Sequence, residues 1–438
     1  MASHLSESKT RRDAVSKLTL FNETPGATAA AIAWCLLALT QCKGQFTGPY
    51  PCETGYDSCV NSELNYCETD TQNDAAHCGA CGKPCDVGAV CQNAECGTGA
   101  QKLADLTSSS QPIIAVNSFG VYFSVPGQNQ ISKVPLNGGT PSPVASNVST
   151  CGGVHFALDD TALYYWTSSY PCTGNPCINT GMVRTVASSG LASLWLPNSQ
   201  VQNSNCPSEI ALNSNQLFWL DNQNSNQNNS LMLIGAPLAG GTATTLAQIQ
   251  NGNSNSVLWA TRSKVLFVAS QNGPSTLFEV PVGGGTLTPI PTQLSNQNGG
   301  LNAFVADDTY IYVANGGCPC NDGQGISGIL PKGTIDRFAL DGSGGTTLAE
   351  FDGLVASMTR DATNIYWSTD TTVWKMPMAG GAAVRIAGNL MDGAAPDLCT
   401  GGCGSQMSNY YVSIAVDGTS VYIADGFSSV SAILKVAK

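Results

Sequence analysis

A short pattern of apolar and polar positions recurs seven times between Ile113 and the C-terminus. Each copy is a small apolar run, then a four-residue polar turn, then a pair of apolar or aromatic residues. The copies end in Tyr122, Tyr164, Phe218, Phe267, Tyr312, Tyr366 and Tyr422. The turn has the same length in every copy, while successive copies lie 42 to 56 residues apart. The pattern therefore predicts seven copies of one β-hairpin, joined by connections of variable length.

Each repeat reads as four strands, which we name a to d in chain order. Strand b carries the aromatic pair, and strand a carries a small or β-branched residue near the turn, namely Ala115, Ala157, Ala211, Ala260, Val305, Thr359 and Ala415. The turn after strand c has a repeated form, as in Pro237–Gly241, in which a glycine pair supplies the positive φ of a tight hairpin. Such a repeat is typical of propeller blades. The sequence thus predicts an all-β fold with a seven-bladed β-propeller at residues 98–438.

The seventh repeat ends after its strand c, at Ala432–Val436. The segment Lys102–Leu106 resembles the d strands of other repeats and precedes the first strand a. Pairing of the N- and C-terminal strands in one blade removes the open seam of the ring. We therefore predict terminal-strand closure of the propeller.

Two strand-b segments, Tyr164–Thr167 and Ile365–Ser368, resemble those of YWTD, NHL and TolB-like propellers. The resemblance covers most of residues 101–438 and departs in blade number, because YWTD propellers have six blades. It implies a fold and not a function.

Residues 51–97 carry eight cysteines and almost no aliphatic clusters, so this segment needs covalent staples to fold. The stretch His77–Cys85, followed by Cys91 and Cys96, resembles the small cysteine-rich modules of exported myxobacterial proteins. The even count favours disulfides, with no connectivity assigned. The spacing of Cys78, Cys81 and Cys85 beside His77 is also compatible with zinc or an iron–sulfur cluster.

The first 41 residues predict that the protein is exported. The apolar run Ala27–Thr40 follows several Lys and Arg residues, and it is too short for a membrane span. Leu39–Cys42 resembles a bacterial lipobox, so Cys42 is the expected lipidation site, with Gln41 departing from the usual small residue. Cleaved secretion and an uncleaved anchor are the alternatives. We expect an extracytoplasmic protein, either a periplasmic or outer-membrane lipoprotein or a secreted one, with residues 42–50 as a tether.

Charged residues form only 11% of the chain, and the net charge is −12. Nucleic-acid binding needs clustered cations, so nucleic acid is excluded as a partner. Membrane contact is expected only through the lipid anchor. The sequence leaves the oligomeric state open.

The connections divide the predicted propeller into two faces. The a–b and c–d turns are short and define a plain face, while the longer b–c and d–a connections define the opposite, looped face. All eight propeller cysteines fall in the long connections: Cys151, Cys172, Cys177, Cys206, Cys318, Cys320, Cys399 and Cys403. We expect disulfides Cys172–Cys177, Cys399–Cys403 and Cys151–Cys206. Rigid long loops are typical of binding sites, so we expect ligand binding on the looped face; the alternative is that the cysteines only protect the loops from proteolysis.

The ligand-binding candidates lie near the ends of strand b or in long connections: Trp166, Tyr170, Trp219, Asp221, Asp322, Trp367, Asp370, Asp397, Tyr410, Asp425 and Phe427. Aromatic rings could stack on a sugar or receive an apolar side chain, while the carboxylates fix polar groups. Strand alternation implies that one of Tyr366 and Trp367 belongs to the core.

No catalytic residue is assigned. His155, with Glu209 at the equivalent position of the next repeat, is a weak acid–base candidate, and the other equivalents are Ile113, Leu258, Ala303, Ser357 and Ser413. No cofactor is expected, and no metal site is assigned. Calcium binding by the loop Asn315–Gly323 is an alternative without a recognisable motif. The leading hypothesis is a module that binds a polypeptide or a glycan. A propeller lyase or hydrolase and a structural envelope protein are the alternatives.

Overall fold

The computed structural model describes residues 54–438 except 58, 60–68, 87–88, 98, 107–111, 125–127, 149–153, 169–178, 198–206, 226–227, 251, 272–274, 292–302, 316–332, 352–354, 370–371, 389, 391–411 and 426–430. The expected export segment, the tether and Cys42 lie outside the described residues. So do the eight propeller cysteines and their predicted pairings. Among the residues described, no helix has the length and apolar character needed to cross a membrane.

The N-terminal module is held by short strands and disulfides. Strand β1 (Tyr56–Asp57) pairs with β2 (Thr69–Asp70), and β3 (Cys91–Gln92) pairs with β4 (Glu95–Cys96). Disulfides join Cys59 to Cys81, Cys78 to Cys91 and Cys85 to Cys96. The expectation of a disulfide-rich module is confirmed. It contacts blade VI of the propeller, where Nη1 of Arg385 donates to the carbonyl of Asn73 at 2.7 Å.

The rest of the described chain forms seven four-stranded antiparallel sheets, the blades. Strand β5 (Gln101–Asp105) precedes blade I, which comprises β6 (Ile113–Asn117), β7 (Gly120–Ser124), β8 (Gln130–Val134) and β9 (Ser142–Ser146). Blade II comprises β10 (Phe156–Leu158), β11 (Ala162–Ser168), β12 (Asn179–Val186) and β13 (Ala192–Pro197). Blade III comprises β14 (Pro207–Leu212), β15 (Gln216–Ser225), β16 (Asn228–Pro237) and β17 (Thr244–Gln250).

Blade IV comprises β18 (Gly252–Ala260), β19 (Lys264–Gln271), β20 (Ser275–Pro281) and β21 (Thr288–Ile290). Blade V comprises β22 (Ala303–Ala306), β23 (Tyr310–Asn315), β24 (Gly333–Ala339) and β25 (Thr346–Phe351). Blade VI comprises β26 (Ser357–Arg360), β27 (Asn364–Ser368), β28 (Val373–Pro377) and β29 (Val384–Ala387). Blade VII comprises β30 (Val412–Val416), β31 (Ser420–Asp425) and β32 (Ala432–Ala437), completed by β5.

The blades form a closed ring. The first strand of every blade contacts the first strands of both neighbours, including β30 of blade VII against β6 of blade I. Hydrophobic clusters fill each of the seven interfaces between neighbouring blades. The predicted seven-bladed propeller is therefore confirmed, with one strand-b residue of the repeat in each blade.

The a–b turn of every blade begins with a residue that we call the turn cap: Asn117, Asp159, Asn213, Thr261, Asp307, Asp361 and Asp417. A side-chain oxygen of each cap accepts hydrogen bonds from backbone amides two or three residues later. Asn and Asp favour turns through this bond, and Thr forms a weaker version. The fixed length of the predicted turn therefore has a local chemical cause.

The cap carboxylate also holds the strand-b tyrosine in three blades. The hydroxyls of Tyr366 and Tyr422 donate to Asp361 and Asp417 at 2.8 and 2.7 Å, and Tyr312 reaches Asp307 at 3.4 Å. Burial and the Asp307 carboxylate raise the pKa of Tyr312 to about 12. Burial alone would raise the pKa of the Asp361 carboxyl, but hydrogen bonds from Lys438, the turn amides and Tyr366 outweigh it and lower that pKa.

Strand b supplies side chains to both of its flanking interfaces. The fifth residue after the cap packs against the next blade, and the sixth packs against the previous one. Tyr164 thus lies in the cluster between blades II and III, whereas Tyr165 lies in the cluster between blades I and II. Because each blade is covered on both sides, both residues of the pair are core.

Blade IV departs from the predicted register by one residue. Its cap is Thr261, and Trp259 pairs with Leu266, whereas Ala157 pairs with Tyr164 at the same position of blade II. The repeat position assigned to Phe267 is therefore occupied by Leu266, and that assigned to Ala260 is occupied by Trp259. Blade IV has the large residue on strand a and the smaller one on strand b. A search for an aromatic residue on strand b therefore does not find the correct position in this repeat.

Terminal-strand closure is confirmed. Strand β5 pairs antiparallel with β32 and supplies the fourth strand of blade VII. Leu103 and Leu106 pack into the cluster between blades VII and I. The amide of Gly139 in blade I also donates to the carbonyl of Leu103 at 3.1 Å. The segment before blade I thus joins the two ends of the ring.

Replacing Leu103 by Ala should destabilise the propeller by about 2–5 kcal/mol, because a 3%-exposed side chain is removed from the closing interface. Leu194→Ala is the matched control: Leu194 is also on a fourth strand but is 56% exposed, so its loss should change stability by less than about 0.5 kcal/mol. Denaturant unfolding measures both. Equal effects of the two substitutions would contradict the closure role of β5.

Candidate functional site

Several polar side chains of the plain face form hydrogen bonds within and between blades. Nδ2 of Asn117 donates to the carbonyl of Asp159 in the next blade at 2.9 Å, and Asn213 makes the same bond to Thr261 at 3.0 Å. Nζ of Lys438 donates to Asp361 at 2.6 Å, which links blade VII to blade VI. These side chains fix the turns and the blades, so they are already committed to structure.

Two large side chains of first strands, Trp259 and Arg360, meet at one backbone carbonyl near the a–b turns of the plain face. Trp259 packs against the clusters on both sides of blade V. Its Nε1 and the Nε of Arg360 both donate to the carbonyl of Ala306, at 2.8 and 2.7 Å. Both side chains are therefore engaged in contacts between neighbouring blades.

On the looped face, His155 and Glu209 form a pair at the mouth of the axis. Nδ1 of His155 lies 3.2 Å from Oε1 of Glu209, and the side chains are 12% and 20% exposed. They lie at the start of the first strands of blades II and III. The structure thus brings together the two residues that the sequence singled out as weak acid–base candidates.

A β-bulge places Glu209 at the mouth. The pairing of β14 with β15 shifts between Pro207 and Ile210, so Glu209 lies inside the irregular segment. A bulge re-aims the side chain of its extra residue, and bulges are frequent next to functional sites. Burial raises the pKa of the Glu209 carboxyl, and the neighbouring His155 offsets part of that rise. The pair can therefore exchange a proton or hydrogen-bond a polar ligand.

The equivalent positions of the other blades complete the inner ring by register. Blades VI and VII place Ser357 and Ser413 there, whereas blades I and V place Ile113 and Ala303. The blade IV residue is Val257 rather than the predicted Leu258, because the turn cap is Thr261. These seven positions thus comprise the His155–Glu209 pair, two serines on adjacent blades, and apolar residues between the pair and the serines.

Among the described strands, those of blades III and IV are the longest toward the looped face. Strands β15 and β16 remain paired from Asn222–Leu231 to Ser225–Asn228, and β18 pairs with β19 from Gly252–Gln271 onward. We call the segments 222–230 and 248–256 the ridge. The ridge is rich in Asn, Gln and Ser and has no charged residue. The described residues of 222–230 therefore belong to the paired strands β15 and β16.

The tryptophans predicted to bind ligand are part of the core. Trp166, Trp219 and Trp367 are 2%, 0% and 0% exposed. Trp166 packs edge-on against Trp219 at 5.7 Å between blades II and III, and Trp367 stacks on Trp374 at 6.1 Å. Their indole N–H groups meet no acceptor among the described residues. The rings fill interfaces because strand b is covered on both sides.

Asp221 and Asp425 are also fully buried, so they do not present carboxylates to a ligand at the surface. They occupy the same position, near the looped-face end of strand b in blades III and VII. The remaining candidates, Tyr170, Asp322, Asp370, Asp397, Tyr410 and Phe427, lie outside the described residues. The suggested calcium loop after Asn315 lies there too.

Comparisons with known proteins give similarity to propellers at low identity. No protein-family model matches the chain, and no curated protein matches it either. The Neurospora crassa Pan2 WD40 domain has a TM-score of 0.47 and 11% identity, covering 77% of this chain and 95% of that one. YCF48 bound to D1 peptide has a TM-score of 0.45 and 11% identity, covering 76% and 95%.

A puromycin hydrolase has a TM-score of 0.44 and 12% identity, covering 75% of this chain. The chain spans about half the length of that hydrolase, 51%. The fold itself follows from the seven sheets described above, and nothing about function is taken from these similarities.

Replacing Glu209 by Gln should leave the melting temperature at pH 8 equal to or above that of the unmodified chain. Folding raises the pKa of the Glu209 carboxyl, so at pH values between its unfolded and folded pKa the folded state binds more protons than the unfolded state. The contribution of this carboxyl to stability therefore falls as the pH rises through that range. The neutral amide avoids this loss, and the difference should close toward pH 4.

Glu279→Gln is the control, because Glu279 pairs with Lys264 within blade IV, away from the mouth. It should lower the melting temperature slightly at pH 8. A drop for Glu209→Gln as large as that of the control would show that the Glu209 carboxylate is stabilising, contrary to the site described here.

Proposed function

We propose that the protein is a binding module that recognises an extended polypeptide across the looped face, between the ridge and the mouth of the axis. The supporting observation is the difference between the two faces. The plain face uses its turn caps and interblade side chains in internal hydrogen bonds, and Trp259 at this end of blade IV donates to the carbonyl of Ala306 in blade V. The opposite face carries the His155–Glu209 pair and a projecting polar hairpin.

The composition of the ridge favours a neutral, polar ligand. Asn and Gln amides both donate and accept hydrogen bonds, which complements the alternating N–H and C=O groups of a peptide backbone. The absence of charge in segments 222–230 and 248–256 gives no electrostatic preference for an anionic or cationic partner. The acid–imidazole pair would then fix one polar group of the ligand at the mouth.

A polypeptide is favoured over a glycan by the burial of the tryptophans. Sugar recognition commonly uses an aromatic face as a stacking platform. The three tryptophans among the expected aromatic residues are closed inside blade interfaces, while Tyr170, Tyr410 and Phe427 lie outside the described residues. The exposed aromatic residues that are described in the propeller, Phe119 and Tyr310, lie at a–b turns of the plain face.

Export to an extracytoplasmic compartment is part of the proposal. Three disulfides in the described part of the module fit an oxidising environment. The lipobox-like sequence ending in Cys42 would attach the chain to a bacterial membrane, with residues 42–50 as tether. A secreted protein released by ordinary cleavage is the alternative.

An enzyme is the second candidate, and the contact between His155 and Glu209 favours it. A partly buried carboxyl beside an imidazole is suited to general acid–base transfer. Turnover of a bound peptide that is lost in both His155→Gln and Glu209→Gln would support a lyase or hydrolase. If the bound peptide is unchanged after prolonged incubation, the result would contradict the enzyme and support the binding module.

The binding proposal is tested with a displayed library of random peptides and with a glycan array. Two variants alter the looped face: Glu209→Gln, and a shortened ridge in which residues 224–229 are replaced by Asn-Gly, a favoured two-residue hairpin turn. Each should weaken binding of the selected peptide at least tenfold. Selection of glycans alone would contradict the choice of ligand class.

Phe119→Ala is the matched control, because Phe119 is 42% exposed on the plain face. It should leave peptide affinity unchanged. If binding survived both looped-face changes but were lost on replacement of Phe119, the site would lie on the plain face. That result would overturn the proposal.

A further inference from the structure

Strand β15 of blade III is longer than the first strand that covers its inner side. That first strand, β14, pairs with β15 only as far as Pro207, which lies opposite Asp221. On its other side, β15 stays paired with β16 as far as Ser225. We call residues 222–225 the open edge, because no described residue pairs with them on the side of β14.

The strand pattern determines which main-chain groups the open edge presents. The amide of Asn213 donates to the carbonyl of Gln216, so Gln216 turns its main chain toward the first strand. Successive residues of an antiparallel strand turn their N–H and C=O groups to alternate sides. The register between β15 and β16 is unbroken from 216 to 225. Asn222 and Asn224 therefore turn their main-chain groups to the open edge, and the residue between them faces β16.

Main-chain groups on an unpaired edge pair readily with another extended chain. The open edge also begins at an unsatisfied side chain, because the buried Oδ1 of Asn222 meets no donor among the described residues. A buried acceptor without a donor costs free energy, and a bound N–H group would recover it. Both features favour a ligand that supplies hydrogen-bonding groups at this edge.

Blade II shows that an extended segment fits on this side of strand b. Strand β11 also runs past its first strand, and Thr167 pairs with Gly181 of β12 on one side. On the other side, Val148 forms an antiparallel bridge with Thr167. Val148 belongs to the connection between blades I and II, and Thr167 is the eighth residue after its turn cap, as Asp221 is in blade III. In blade II, the chain itself thus adds a residue where β10 ends.

We propose that an extended polypeptide binds as an added β-strand along the open edge, hydrogen-bonded to the main chain of Asn222 and Asn224. This inference rests on the proposed function and specifies how the looped face holds its peptide. In such complexes main-chain pairing supplies the affinity and alternate side chains supply the specificity. The uncharged ridge fits a segment with neutral polar or small side chains. One end of the added strand would lie beside β14, which carries Glu209.

Amide exchange of the whole chain without ligand, resolved by residue with NMR, tests whether the edge is open. The amides of Asn222 and Asn224 should exchange at least about tenfold faster than the amide of Gln223, which faces β16. Equal protection of all three would show that residues of this chain already cover the edge, and it would overturn the proposal whether or not the protein binds peptides.

The binding mode is tested with the peptide selected from the displayed library, synthesised with one N-methylated backbone amide at a time. N-methylation removes one donor and keeps the side chain. Methylation at every second residue of the bound stretch should weaken binding about tenfold, because a main-chain hydrogen bond to β15 is lost. Methylation at the residues between should have little effect.

A loss of affinity without this alternation would overturn the added strand and leave the peptide-binding function intact. Failure to select any peptide would overturn the proposed function, and this inference with it. The two failures are therefore distinguishable.

A pair of proline variants tests the same edge from the side of the protein. Asn224→Pro removes an N–H group that faces the open edge, so the pairing of β15 with β16 keeps its hydrogen bonds. The control is Gln248→Pro on β17, the outer strand of the same blade, where by the same alternation the lost N–H faces away from β16. Asn224→Pro should weaken peptide binding about tenfold. Gln248→Pro should leave the affinity unchanged, and equal affinities of the two folded variants would contradict the proposal.

Discussion

The structure depends on the burial of strand b on both of its faces. The fifth residue after each turn cap packs on the next blade and the sixth packs on the previous one, so every interface is built from two neighbouring repeats. No blade can cover its own apolar side chains, which makes the closed ring a condition of stability. Strand β5 meets that condition at the junction of blades VII and I. The turn caps add a local constraint, because they fix where each strand b begins.

The repeated hairpin made the fold predictable. Turn length, aromatic pairs and the incomplete seventh repeat together indicated seven blades and a closing strand before blade I, and the structure confirms both. The register of blade IV was not predictable from aromatic positions. In blade IV the large residue, Trp259, lies on strand a and the smaller one, Leu266, lies opposite on strand b, the reverse of blade II. An alignment by aromatic residues therefore places the repeat one residue too late. The polar caps, from Asn117 to Asp417, carry the correct register.

The candidate site was predictable only in part. His155 and Glu209 were paired by counting along equivalent strands, and the structure places them 3.2 Å apart. The tryptophans were misassigned because a strand-b ring near a loop looks exposed in sequence, whereas neighbouring blades cover it. The strands of the ridge were not predictable from their composition, because Asn has a low strand propensity. Pairing with Leu231 and the strands behind it outweighs that local preference.

The two faces therefore have different physical roles, one fixing the ring and the other presenting a polar surface to a ligand. Amide hydrogen exchange of the whole chain, with and without a saturating peptide selected from the displayed library, tests this division most directly. Peptide binding should slow amide exchange in segments 207–212, 222–230 and 252–258. Protection confined to the a–b turns, such as 117–120 and 361–364, would contradict it.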